Sequence, residues 1–336
     1  MNQILDLVPI WTLILGFGVF VYVLLDGFDL GVGMLYGFAP DSRSRNVIMN
    51  SIAPIWDGNE TWLILGGLGL LAAFPVAFAV IIPAVYFPIL VMLLALVFRG
   101  VAFEFRLRDS ENRTFWDHAF SYGSGIATFA QGVVVGSFIQ GFEVSNHQFA
   151  GTSFSFLSPF TLLTGIALMF GYALLGAGWL ILKTNGEVQA AARRHGRICL
   201  IAVLLAIGVV SLWTPIMSQA VAARWFTWPN FLFLAPVPLA TVLLGWFTWR
   251  ALSSTAEATP FLGAMALFVV SYLGIAISLF PMIVPYHFTL WEAASSPRTQ
   301  AFLLVGTLFL LPVILTYSGW SYWVFRGKVR AEGGYQ

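Results

Sequence analysis

The feature that most constrains this chain is a repeated one. Stretches of about 20 mostly apolar residues, each long enough to cross a lipid bilayer as a helix, recur from one end to the other. Nine are predicted, over residues 8–29, 55–74, 77–98, 119–141, 159–182, 198–217, 230–250, 261–284 and 301–325. The chain is 59% hydrophobic and only 9% charged, against about 25% charged residues in soluble domains. Long unbroken runs, rather than short alternating ones, select an all-α integral membrane protein over a β-barrel. No connecting segment is long enough for a separate soluble domain, so residues 1–336 read as one polytopic membrane domain. A net charge of +1 gives no electrostatic footing for a nucleic-acid partner. The single cysteine, Cys199, excludes an intrachain disulfide and a cysteine-ligated metal cluster. With Asp6 and no Lys or Arg before the first apolar run, the N-terminus does not read as a signal-peptide leader.

Proline and tryptophan punctuate the runs. Phe74-Pro75 predicts a tight hairpin between the second and third spans, Pro83 and Pro88 bend the third, and Trp213 with Pro215 marks the end of the sixth. Gly27 and Gly31, and Gly132 and Gly136, lie four apart, the spacing of small-residue faces where helices pack closely. GFDLGVG lacks the strand and glycine spacing of a dinucleotide fingerprint.

Basic residues orient the spans. With the N-terminus outside, the inside segments hold Arg43, Arg45, Arg99, Arg106, Arg108, Arg113, Lys183, Arg193, Arg194, Arg197, Arg250, Arg326, Lys328 and Arg330. Only Arg224 and Arg298 fall outside. This asymmetry predicts a periplasmic N-terminus and a cytoplasmic C-terminus, Gln336 inside and Met1 outside.

Chemistry concentrates in a few polar residues. Asp26 and Asp29 share one face near the inside end of the first span, and Asp57 and Glu60 share one at the inside start of the second. Arg99 ends the third span, with Glu104 and Arg106 one to two turns on. Ionisable groups at membrane depth are expensive and ask for a function. These carboxylates and arginines are expected to form one polar cluster reaching inward from the cytoplasmic face. Pro54 suits a first helical position, which would put Asp57 in a first turn where the helix dipole favours an anion. Asp26 lies deeper, where dipole and burial both oppose its charge. An ionised acid near water beside a buried one is a relay for protons. The bland reading is structural: Asp57 caps a helix or pairs with Arg99, and Asp26 makes an interhelical hydrogen bond. Trp56 and Trp62 read as interface aromatics. Outside, PYHFTLWEAASSP, with His287, Trp291 and Glu292, reads as an ordered surface loop.

The histidines exclude something. His118 and His195 fall in inside loops, His147 in an outside loop and His287 just past the eighth span. A b-type haem inside a bundle usually needs an axial His from a span, so no haem is expected here. Met92 and Met169 are mid-span thioethers that read as core filler.

DGFDLGVG, NSIAPIWDGNETWL, FRGVAFEFR at 98–106, FPMIVP with LWEAASS at 280–296, and the terminal TYSGWSYWVFRGKV together resemble subunit II of cytochrome bd-type quinol oxidases, over nearly the whole chain. The WDGNETW form and short length resemble the cyanide-insensitive branch. The resemblance implies an enzyme that oxidises quinol and reduces dioxygen to water. It implies two b-type haems and one d-type haem in a homologous subunit I, none here, and pseudo-symmetric packing of the two subunits. It implies two four-helix bundles plus one peripheral helix, and acidic residues that bring cytoplasmic protons toward subunit I. The family residues matched are Asp26, Asp29, Trp56, Asp57 and Asn59. Some members hold a structural quinone in this subunit, and a small single-span accessory subunit and lipid are further partners. The alternatives are a proton-coupled secondary transporter, which usually carries its acids at the midplane of repeated halves, and a purely structural assembly partner.

Overall fold

The computed structural model describes residues 6–109 and 111–329. Met1, Arg330 and Gln336 lie outside them, so the placement of both termini is not among the structural findings. The described chain is mostly helical. In lipid, a segment must satisfy its own backbone hydrogen bonds, and a helix does this within itself.

The first half runs through α1 (Val8–Tyr36), α2 (Ser42–Asn50), α3 (Trp56–Glu60), α4 (Trp62–Ala73), α5 (Pro75–Ala84), α6 (Tyr86–Arg108) and α7 (Arg113–Gln140). A small hairpin of β1 (Val144–Ser145) and β2 (Gln148–Phe149) follows. The second half holds α8 (Pro159–Lys183), α9 (Gly186–Met217), α10 (Gln219–Phe226), α11 (Asn230–Leu234), α12 (Pro236–Leu252) and α13 (Thr259–Leu279). It closes with a hairpin of β3 (Met282–Val284) and β4 (Phe288–Thr289), then α14 (Leu290–Ala293) and α15 (Pro297–Val324).

Among the described residues, eight helices are long and apolar enough to cross a membrane, α11 and α12 counting as one. The remaining predicted run, the second, 55–74, is divided between α3 and α4. The division is slight: Thr61 between them keeps helical dihedrals, φ −58° and ψ −24°. The predicted third span is also two helices, α5 and α6, meeting at Val85 (φ −115°, ψ 22°). Pro83 lies just before that junction, whereas Pro88 sits in the first turn of α6, where no backbone donor is needed.

Several helices outrun their apolar stretches. α1 continues to Tyr36, α6 to Arg108, and α7 and α9 begin at Arg113 and Gly186. His118 and His195, expected in loops, are therefore helical. Hydropathy marks the lipid-facing length, and a helix whose polar end meets other polar helices has no reason to stop there. In the other direction, α13 ends at Leu279, and Met282–Val284 of the predicted eighth span is strand.

Close helix contacts rest on the glycines. A Cβ on Gly31 would lie 1.8 Å from the Tyr172 carbonyl oxygen, so α1 and α8 touch backbone to backbone. One on Gly132 would lie 2.5 Å from the Thr164 carbonyl oxygen, the same arrangement between α7 and α8. These contacts centre the main core on α1, α7 and α8. α15 lies at the other extreme, with Gln300 its only buried residue.

The helix ends expected on the inside do meet. Lys183 Nζ donates to the carbonyls of Phe325 (2.6 Å) and Gly327 (3.2 Å), and Lys328 Nζ donates to Glu257 at 2.5 Å. That ion pair, with the Gln189 amide, holds the exposed Glu257 carboxyl below the usual range. Asp41 caps α2 by accepting from the Ser44 N–H at 2.8 Å, which lowers its carboxyl as well. At the opposite end, Arg224 donates to the carbonyls of Ile277 and Phe280. The loop at 285–297, predicted to lie outside, is ordered: Thr289 and Glu292 form a capping box on α14, and Trp291 Nε1 donates to Asp6 at 2.9 Å.

Candidate functional site

Three helices build one buried ionic group. α1 supplies Asp26 and Asp29, three residues apart and both 0% exposed. α6 supplies Arg99, also 0% exposed, and α3 supplies Glu60 and the buried Asn59. Arg99 Nη1 donates to Asp26 Oδ1 at 2.9 Å and to Glu60 Oε2 at 3.4 Å, and Nη2 lies 4.0 Å from Asp29 Oδ2. Asp29 Oδ2 also accepts from Asn59 Nδ2 at 2.7 Å. The guanidinium lies 5.7 Å from the Trp56 ring, which stacks on Phe103 at 4.7 Å and packs against Gly100. Gly123 of α7 packs on the same turn of α6 that carries Arg99: a Cβ there would come 2.8 Å from the Ala95 carbonyl oxygen and 3.4 Å from Arg99 Cβ.

Three carboxylates face one guanidinium here. Asp26 Oδ2, Asp29 Oδ1, and Arg99 Nε and Nη2 are buried without a hydrogen-bond partner among the described residues. Buried polar atoms are almost always paired, so these four atoms are exceptions to the rule. Glu60 is its outermost member, its side chain 27% exposed.

Every predicted site residue is placed, and several placements differ from expectation. Because α1 continues ten residues past Asp26, that carboxylate sits about 15 Å from the helix end rather than near it. Pro54 precedes α3 instead of opening it, and Ile55 takes the cap position. Asp57 is exposed in the first turn, and it neither caps the helix nor pairs with Arg99. The pairing with Arg99 belongs to Asp26 and Glu60. Arg99 lies mid-helix, not at a span end. Glu104 is not part of the group: it is exposed and pairs with Arg108 at 3.2 Å, one turn on. Trp62 is buried rather than interfacial, edge-on to Phe17 at 6.0 Å.

Arg106 belongs to a second buried group that sequence reasoning missed. Asp117 of α7 accepts from the Tyr36 hydroxyl, from Arg106 Nε at 2.5 Å and from Arg45 Nη1 at 2.8 Å. Asn46 Oδ1 accepts from Arg106 Nη1 and Arg113 Nη2, both at 2.9 Å. This group ties α1, α2, α6 and α7 together. Two further polar chains were also missed. Tyr172 donates to Gln131 Oε1 at 2.9 Å, and Gln131 Nε2 donates to the Tyr22 hydroxyl at 2.7 Å. Tyr322 of α15 donates to Asn59 Oδ1 at 2.7 Å. Gln131, a lone amide in the middle of an apolar run, was the available signal.

The histidines do not fit haem ligation inside the bundle. His118 and His147 are exposed, stacked on Tyr122 and Phe288. His287 is exposed beside the β3–β4 hairpin, and His195 leans on the exposed Phe38.

The sequence pattern of the family described as cytochrome bd terminal oxidase subunit II matches residues 7–325. Subunit 2 of the cytochrome bd-I ubiquinol oxidase of Escherichia coli (strain K12) is 29% identical over 360 aligned residues, covering 96% of this chain and 95% of that one. Subunit 2 of the cytochrome bd ubiquinol oxidase of Bacillus subtilis (strain 168) is 28% identical, covering 92% of each. The solved bd oxidase of Geobacillus thermodenitrificans contains a chain that superposes with a TM-score of 0.75 at 15% identity, over 96% of this chain and 99% of that one. The chain belongs to the cytochrome bd terminal oxidase subunit II family, as a multi-pass membrane subunit of a bd-type quinol oxidase.

Proposed function

We propose that this chain is the haem-free subunit of a ubiquinol oxidase that couples quinol oxidation to reduction of dioxygen to water, and that it steadies subunit I and passes cytoplasmic protons toward it. The haem chemistry belongs to subunit I. In this reading α3 and α4 cross together as the ninth helix, since with Thr61 between them they span about 27 Å. The nine helices form two four-helix bundles with α15 as the peripheral helix. The N-terminus is periplasmic and the C-terminus cytoplasmic.

The observation that carries the proton role is the imbalance of the buried group. Asp26, Asp29 and Glu60 set three negative charges against Arg99 alone. A low-dielectric interior tolerates that excess poorly, and a proton shared among the carboxylates relieves it. Asp57, exposed one turn before Glu60, collects protons at the surface. Glu60, touching both water and Arg99, hands them inward, and Asp26 and Asp29 hold them beside the unpartnered oxygens. Arg99 keeps the three carboxylates within reach of one another.

The test is Asp26→Asn in an assembled, haem-loaded complex. Asn keeps the shape and cannot carry a proton, so quinol oxidase turnover falls on the order of a hundredfold. Full turnover in that enzyme removes the proton role and leaves the group structural.

A further inference from the structure

α15 is almost bare, yet one of its side chains reaches the buried carboxylates. Tyr322, near its inside end, is half-buried, and Trp179 of α8 stands edge-on to its ring at 6.1 Å. Its hydroxyl donates to Asn59 Oδ1 at 2.7 Å, and Asn59 Nδ2 in turn donates to Asp29 Oδ2 at 2.7 Å. A primary amide presents a donor on one side and an acceptor on the other. Which side faces Asp29 is settled by what claims the oxygen, and here Tyr322 claims it.

We propose that Tyr322 is a positioning residue for the proton-handling carboxylates: acting through Asn59, it turns a hydrogen-bond donor toward Asp29. The proposal rests on the proton role argued above. An N–H aimed at a carboxylate favours its ionised form, whereas an amide oxygen favours the protonated carboxyl. Tyr322 thereby sets how readily Asp29 gives up a proton. The other charged and titratable groups facing Asp29 are Asp26 on the same helix, Glu60 of α3 and Arg99 of α6. None of them depends on the tyrosine hydroxyl for its orientation. Tyr322→Phe removes that one bond and keeps the ring against Trp179. The Asn59 amide is then free to turn, and Asp29 holds its proton to higher pH.

The experiment measures quinol oxidase turnover against pH in assembled complexes carrying Tyr322→Phe, Asn59→Ala, or both, with haem content determined for each. The pH–rate profile of Tyr322→Phe is expected to move up by about half to one unit at unchanged haem content. Asn59→Ala is expected to move it in the same direction, and the double variant no further than Asn59→Ala alone, because the hydroxyl acts only through the amide. An unmoved profile in Tyr322→Phe overturns the proposal. So does an additive double variant. So does a Tyr322→Phe chain that fails to assemble where Asn59→Ala assembles, since the hydroxyl then serves the fold. Asp29→Asn reports on the underlying reading. If it turns over at the full rate, the proton role is lost whatever Tyr322 does. If it is slow while the Tyr322→Phe profile is unmoved, only the positioning role is lost.

Discussion

Replacing Asp117 by Asn separates the two buried ionic groups. Asp117 receives three donors of unequal burial. The Arg106 side chain is 1% exposed, that of Arg45 is 32% exposed, and Tyr36 donates a neutral hydroxyl. Asn preserves the shape and can still accept from Tyr36, so that bond contributes little to the change. The Arg45 pair is partly solvated and worth about 0.2–1 kcal/mol. Losing the carboxylate opposite Arg106 leaves a fully buried guanidinium uncompensated, a loss of about 3–5 kcal/mol. Arg106 retains its bond to Asn46 at 2.9 Å and its place 5.6 Å from the Tyr36 ring, which argues for about 3 kcal/mol. At roughly 2–4 °C per kcal/mol, the temperature at which the complex loses its haem absorbance falls by about 6–12 °C. Arg45→Gln, by contrast, lowers it by no more than about 2–4 °C. Turnover per haem stays near wild type in both, because neither residue touches the Asp26 group. Equal thermal losses in the two variants would refute the burial argument, and a collapse of turnover in a thermally unaltered Asp117→Asn complex would place Asp117 on the proton route instead.

Three further expectations follow from the geometry. Glu60→Gln slows quinol oxidase turnover more than Asp57→Asn does, because Glu60 alone touches both solvent and Arg99; the reverse order, measured in haem-loaded complexes, would put the handover at Asp57. Gly31→Val abolishes assembly, since its Cβ collides with the Tyr172 carbonyl, whereas Gly67→Ala, with no atom within 4 Å of the added carbon, assembles normally; membrane yields of the two variants decide. Alanine at His118, His147, His195 or His287 leaves the haem content of the complex unchanged by pyridine haemochrome assay, and loss of a haem in any one of them would contradict the reading that none of these side chains, three exposed and His195 partly buried, ligates haem.

Much of this was legible in the sequence because two signals are strong: apolar length and the cost of charge in lipid. Both carboxylate pairs and Arg99 stood out for that reason, and three of those five residues are fully buried. Glu104 was misassigned because neighbours in sequence on a helix point in different directions. Arg99 faces the bundle, while Glu104, five residues on, points outward to Arg108. Asp57 and Asn59 show the same effect within one turn of α3: two residues apart, one faces solvent and the other Asp29. The Asp117 group went unread because its members come from four helices, and hydropathy placed Asp117 in a loop. Tyr322 was quoted only as part of a motif, since its partner lies 263 positions away and no local pattern announces such a pairing.

The two groups share a stripe of α6, and their charges are opposed. Seven residues separate Arg99 from Arg106, nearly two full turns, so the two side chains leave the helix on almost the same side about 10 Å apart. The inner group has three carboxylates around one arginine. The outer has Arg45, Arg106 and Arg113 around one carboxylate and one amide. In the proposed orientation, a proton entering along α6 would first pass the outer group, whose excess positive charge repels it. Entry along α3 would meet the carboxylates of Asp57 and Glu60 before it reaches Arg99. On the proposed proton role, this arrangement favours a single entrance, along α3. Glu104 lies on α6 but off that stripe. On this argument Asp57→Lys, which puts a positive charge at the favoured entrance, slows turnover more than Asp57→Asn, and the difference shrinks as ionic strength rises. A Glu104→Lys enzyme, carrying the same charge change on α6, turns over normally, and a matching slowdown there would mean that entry is not confined to α3.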